Sequence, residues 1–146
     1  MAIVYLGLGS NIGDRKRYIL QAMAHLKSKE VLITKISRII ETEACGGPSQ
    51  SKFLNAVIQT TTELSPEQLL NLVKKIEKIL GRKPAGRNGP RVIDIDILLY
   101  DNLKIKNPDL KIPHPRMHER NFVMQPLSEI APDIFRKVKY ANHHGH

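Results

Sequence analysis

Residues 82–101 read RKPAGRNGPRVIDIDILLYD, a basic loop running into a hydrophobic strand. Apart from two aspartates, Val92 to Tyr100 is apolar and rich in β-branched residues, the composition of a strand. Side chains alternate between faces, so Val92, Asp94, Asp96 and Leu98 share one side. Ile93, Ile95, Ile97 and Leu99 share the other, which is expected to be the core face. The two carboxylates then stand about 6.6 Å apart along the strand, twice the rise per residue. Buried without compensation, each would raise the other's pKa at a large cost in free energy. Positive charge is needed beside them. Mg²⁺ meets that need, because it takes one or two carboxylates together with substrate phosphates. So do Arg82, Arg87 and Arg91, on a loop with Pro84, Gly86, Gly89 and Pro90, since guanidinium forks match phosphate oxygens. Such carboxylates and arginines are the parts of a phosphoryl-transfer site. A surface strand neutralised by a solvated basic loop has the same residue pattern.

The chain has 146 residues, enough for one domain with a core that needs no staples. A single domain over residues 1–140 is expected, with a disordered tail at 141–146 (ANHHGH). The formal net charge of +9 attracts polyanions without saying which kind. One cysteine cannot make an internal disulfide, which suits a reducing cytoplasm. The first residues, MAIVYLGLGSN, lack the basic start of a signal peptide, and no apolar run is long enough for a membrane span.

Ala2 to Leu8 reads as a buried strand that breaks at Gly9-Ser10-Asn11. Asp14 is a candidate N-cap for a helix over Arg15–Lys29, with Ile19, Leu20, Met23 and Leu26 on one stripe. Val31–Thr42 alternates as a second strand, Glu43–Lys52 is a loop of turn formers, and Phe53–Leu64 is a third strand. Ser65-Pro66-Glu67-Gln68 starts a second helix that runs to about Leu80. The order is β-α-β-β-α-β, a ferredoxin-like α+β arrangement: an antiparallel sheet with helices on one face. The face carrying Asp94 and Asp96 is then open to a ligand. A polar hairpin at Asn102–Lys106 and a short helix over Met117–Leu127 complete the chain.

Other motifs carry less. Gly7, Gly9 and Gly13 miss the dinucleotide-binding G-x-G-x-x-G spacing by one residue. His114 and His118 are four apart, but Pro115 lies between them and the zinc pattern H-E-x-x-H is absent. They read as polar residues near a phosphate, with Arg116 and Arg120, or as a solvated basic edge. Phe53 and Phe122 have core packing as their ordinary fate. An RNA-recognition module shares the βαββαβ order, but it stacks bases on aromatic residues where this chain has two aspartates.

Four segments converge. GLGSNIGDR near the start, FLNAV at Phe53–Val57, GPRVIDIDILLYD at Gly89–Asp101 and IPHPRMHERNFVMQPL at Ile112–Leu127 together resemble the 6-hydroxymethyl-7,8-dihydropterin pyrophosphokinases, in the right order from Val4 to Asp133. The resemblance implies transfer of the pyrophosphoryl group of ATP to the pterin hydroxymethyl, in folate biosynthesis. It implies two Mg²⁺ ions between Asp94 and Asp96, with ATP as co-substrate, and Arg82 and Arg91 as catalytic arginines. Glu77, Arg87, Ile97, Leu110, Lys111, Ile112, His114, Arg116 and Arg120 are the implied ATP contacts. Thr42, Glu43, Cys45, Phe53, Asn55 and Phe122 are the implied pterin contacts, the two phenylalanines sandwiching the ring. The expected partners are these two small molecules, with no nucleic acid or membrane, and the enzyme is expected to be a cytoplasmic monomer. Asn88 stands where many members carry a tryptophan. The competing expectation is a ferredoxin-like domain that senses nucleotide or binds RNA without transferring anything.

Overall fold

The computed structural model describes residues 1–43, 52–81 and 92–144. Its main sheet is antiparallel throughout. β1 (Ala2–Ser10) is central, flanked by β4 (Phe53–Thr62) and β5 (Asp94–Tyr100); β2 (Val31–Ile36) and β3 (Ile40–Thr42) both pair with the far side of β4. Helices α1 (Arg15–Ser28) and α2 (Pro66–Ile79) pack on one face. Their start signals are those of the sequence. Asp14 accepts the Arg17 amide at 3.3 Å, and Ser65 and Gln68 form a reciprocal capping box with bonds of 3.2 and 2.8 Å. Between sheet and helices lies a core that includes Leu6, Leu8, Ile19, Leu26, Ile58, Leu69, Ile76 and Ile93, all 2 % exposed or less. Burying each such side chain stabilises the fold by about 1.5–3 kcal/mol. Leu20 is not among them; it is 51 % exposed.

The other sheet face is half covered, where the sequence left it open. After β5, short strands β6 (Ile105–Lys106) and β7 (Lys111–Ile112) form a ribbon, followed by a 3₁₀ turn at Met117–Glu119. Two further helices, α3 (Asn121–Ile130) and α4 (Pro132–His144), then cross that face. Here Tyr5, Val57 and Leu98 from the sheet bury against Met117, Val123, Met124 and Leu127. The short helix expected at Met117–Leu127 is thus a 3₁₀ turn followed by a longer helix. α4 continues through residues 141–144, where a disordered tail was expected.

Two irregularities correct the strand assignments. β5 carries an extra residue, Leu98, between the pairs Leu6–Ile97 and Tyr5–Leu99. The bulge reverses the alternation, so Leu99 joins Leu98 against the second cluster and Tyr100 turns into the first core. Leu99 therefore does not share the isoleucine face. The continuous strand expected over Val31–Thr42 is broken between Ile36 and Ile40. Ser37, 6 % exposed, bridges the gap: its amide donates to the Val57 carbonyl at 3.0 Å and its Oγ accepts the Val57 amide at 2.9 Å. Ser37→Ala would leave that buried amide without its partner. It should lower the unfolding free energy by about 1–3 kcal/mol in urea titrations; unchanged stability would contradict the bridging role.

Candidate active site

Strand parity places the site. Odd-numbered residues of β1 and β4 lie on the face that α3 covers at Tyr5 and Val57. The pairing Asn55–Gly9–Asp94 forms one row across three strands, and Val57–Gly7–Asp96 forms the next. Two carboxylates thus stand on one flank and an amide on the other, with glycines between them. Gly9 is needed for that arrangement, because a β-carbon there would lie 2.9 Å from Asn55 Oδ1 and 3.5 Å from the Phe53 ring. Side chains of β4 can therefore lean over β1. Asn55 is 6 % exposed, and its Nδ2 donates to Thr42 Oγ1 at 2.7 Å. Thr42 pairs with Phe53 in the β3–β4 ladder. Thr42, Phe53 and Asn55 are thereby gathered into one group. Glu43 is exposed and lies 3.7 Å from Lys52 rather than in that group.

On the carboxylate flank, a cleft of about 340 Å³ opens beside β5. Asp94 to Ile97 form one wall, α2 contributes Leu70, Lys74 and Glu77, and Pro108–Lys111 with His114 and Pro115 close the far side. Glu77 is 8 % exposed and its Oε2 accepts the Ile95 amide at 2.8 Å. Among the described residues β5 is the last strand of the sheet, and this carboxylate satisfies an amide that no described strand accepts. Farther along the same edge, the His114 amide donates to the Leu98 carbonyl at 2.9 Å. Glu77, Ile97, Leu110, Lys111 and His114 all line this cleft. Ile112 does not line it; its side chain, like those of Ile97 and Leu110, is buried in the hydrophobic core. Arg116 pairs with Glu119 at 3.1 Å, and the Arg120 guanidinium sits 5.5 Å from the centre of the Phe122 ring. Phe122 itself packs partly against the second cluster.

Leu70, Lys74, Pro108, Asp109 and Pro115 were missed. For the first two a signal exists: with Glu77 they are spaced by four and three residues along α2, one helical face. The turn at Pro108–Asp109 has no signal beyond its composition. Arg82, Arg87, Arg91, Cys45 and Asn88 lie outside the described residues.

The donor set on the carboxylate flank suits a hard cation that also binds phosphate. Among the described residues, no group of three histidine, cysteine or carboxylate ligands comes together. A pair of aspartates is the set Mg²⁺ uses when a substrate supplies the remaining oxygens. His114 tunes the same wall. Burial first, then the Arg120 charge, lowers its pKa from the ordinary 6.5, and Asp94 opposes the shift. The imidazole is neutral at pH 7 and can meet an anionic ligand as a hydrogen-bond donor.

A family model described as 7,8-dihydro-6-hydroxymethylpterin-pyrophosphokinase matches residues 5–132. A 2-amino-4-hydroxy-6-hydroxymethyldihydropteridine pyrophosphokinase of Aquifex aeolicus is 48% identical over 138 residues, 94% of this chain and 86% of that protein. Its Bacillus subtilis counterpart is 45% identical over 140 residues, 95% and 84% of the two chains. Among solved structures, wild-type HPPK-DHPS of Plasmodium falciparum superposes with a TM-score of 0.65 over 87% of this chain, at 17% identity. This chain spans 40% of that longer protein, and the likeness bears on the fold.

Because the folded His114 resists protonation, the unfolded chain takes up that proton at the higher pH. The resulting stability is full above about 6.5 and is lost as pH falls through the folded value. NMR titration should give His114 a midpoint below 6.5, and Arg120→Gln should raise it. A wild-type midpoint at or above 6.5 would contradict the burial argument.

Proposed function

Since this chain belongs to the 7,8-dihydro-6-hydroxymethylpterin-pyrophosphokinase family, we propose that its two substrates lie across the glycine-floored sheet face, triphosphate on the β5 flank and pterin on the β4 flank. The chain is an ATP-dependent diphosphotransferase of folate synthesis. It moves the pyrophosphoryl group of ATP to the hydroxymethyl of 6-hydroxymethyl-7,8-dihydropterin and releases AMP. The observation that carries the division of labour is the row Asn55–Gly9–Asp94. Two strand spacings of roughly 4.8 Å separate the backbones of Asn55 and Asp94, with Gly9 between them.

On this reading Asn55, held by Thr42, reads the polar edge of the pterin, while Phe53 and Phe122 offer apolar surfaces to its faces. The cleft bounded by Glu77, Leu110, Lys111 and His114 takes the nucleotide. Glu77 keeps β5 fixed against α2, so both aspartates are presented on a rigid strand. His114 would donate to ATP from that wall, Lys74 and Lys111 are the cations that line it, and Arg116 and Arg120 would reach the nucleotide from beside His114. Asp94 and Asp96 would hold Mg²⁺, two ions in the reading carried here, which supplies charge neutralisation on the triphosphate oxygens. Arg82, Arg87 and Arg91 would bring guanidinium groups to the same phosphates.

The reaction needs no covalent enzyme intermediate. The hydroxymethyl oxygen bonds to the β-phosphorus, the bond from that phosphorus to the α,β-bridging oxygen breaks, and the hydroxyl proton is lost. The work of the protein is in-line alignment and charge stabilisation. A monomer in the cytoplasm completes the reading, supported by the single cysteine and by a site that one chain can furnish.

The deciding experiment is AMP release from ATP and Mg²⁺, with and without the pterin. AMP that depends on pterin is the expected result; Mg²⁺-dependent ATP binding without AMP would overturn the acceptor assignment. Asp96→Ala should lower turnover by at least about 10²–10³-fold. Its circular dichroism should remain that of the wild type. Retained turnover in the folded variant would refute the metal role of the pair.

A further inference from the structure

α1 begins Arg15-Lys16-Arg17, three cations where the helix dipole favours anions, and its first turn contains no acidic residue. Asp14 caps that turn, but local preference does not explain Arg15. Its surroundings do. The guanidinium Nη1 donates to the Lys52 carbonyl at 2.8 Å, and Nη2 lies 2.9 Å from Glu41 Oε2. Arg15 thus reaches from α1 to both strands of the β3–β4 hairpin at once. It grips each strand one residue before a member of the pterin group: Glu41 precedes Thr42, and Lys52 precedes Phe53. Glu41 pairs with Leu54, so it faces away from Thr42 and Asn55; the clasp acts from behind the hairpin. A cleft of about 390 Å³, bounded by Asn11, Ile12, Gly13, Arg15, Glu41 and Lys52, separates the turn after β1 from that hairpin. Apolar packing does not fill this gap, whereas the fork of Arg15 crosses it.

We propose that Arg15 is a positioning residue for the pterin half of the site. By tying Glu41 and Lys52 to α1 it holds the Thr42–Phe53 end of the β3–β4 ladder in place, and hence the aim of the Asn55 amide and the tilt of Phe53. This rests on the reading of Thr42, Phe53 and Asn55 as pterin contacts given above. Arg15 acts from the side of the hairpin opposite Thr42 and Asn55, so its loss should act through pterin binding alone. A lysine there keeps the charge but lacks the planar fork that serves carboxylate and carbonyl together.

The test compares wild type with Arg15→Ala, Arg15→Lys and Asn55→Ala, measuring KM separately for ATP and for 6-hydroxymethyl-7,8-dihydropterin. Arg15→Ala should raise the pterin KM about tenfold or more and leave the ATP KM within about twofold. Arg15→Lys should recover part of the loss, with melting temperatures confirming a folded chain in each case. If Asn55→Ala weakens pterin and Arg15→Ala does not, the clasp is overturned and the site reading stands. If neither changes the pterin KM, both fall together. Equal rises for both substrates, unrelieved by lysine, would mark Arg15 as a general structural contact and also overturn the proposal.

Discussion

The antiparallel pairing of β1 with β4 on one side and β5 on the other sets Asn55 and Asp94 in a single row through Gly9. A slip of one residue in either ladder would send one of them to the opposite face, where Leu6, Leu8 and Ile58 are packed beneath the helices. A carboxylate or amide in that core would lose its solvent and gain no partner. The hydrophobic face therefore enforces the polar one. Register is held by the burial of aliphatic side chains on the helix side, and the site inherits its geometry from that burial without contributing to it.

The partial cover on the second face divides labour along the strands. Where Tyr5, Val57 and Leu98 meet α3, the sheet is sealed; two and four residues farther along, Gly7, Gly9, Asp94 and Asp96 are left as a floor and a flank. The bulge at Leu98 sits at this boundary. It turns two consecutive leucines under the C-terminal helices, and the Leu98 carbonyl receives the His114 amide. One extra residue thus anchors the second core and also docks the segment carrying His114 against the edge of the cleft.

Much of this was legible in the sequence because it depends on short-range rules. The period of two around Asp94 and Asp96, the cap at Asp14 and the Ser65–Gln68 box each have a local cause, and the βαββαβ order follows from them. What was illegible depends on distant partners. Nothing local announces that Ser37 replaces a strand pair, because its partner is Val57, twenty residues on. The alternation of β5 could not reveal its bulge, since the pattern of aliphatic residues looks the same on either side of it. The two C-terminal helices were hard to see for a different reason: Pro126 lies inside α3, and Pro132, a residue type that breaks helix interiors, begins α4. The site itself was legible by resemblance rather than by spacing. Residue pattern alone left a metal pair and a solvated ion pair equally open, and it gave no hint of the reach of Arg15.

Glu77 satisfies the Ile95 amide on the outer edge of β5. An open strand edge is a template on which another chain can add. The carboxylate that walls the cleft therefore also occupies one bonding point of that edge, so a substitution at this one position would alter both the cleft and the strand edge.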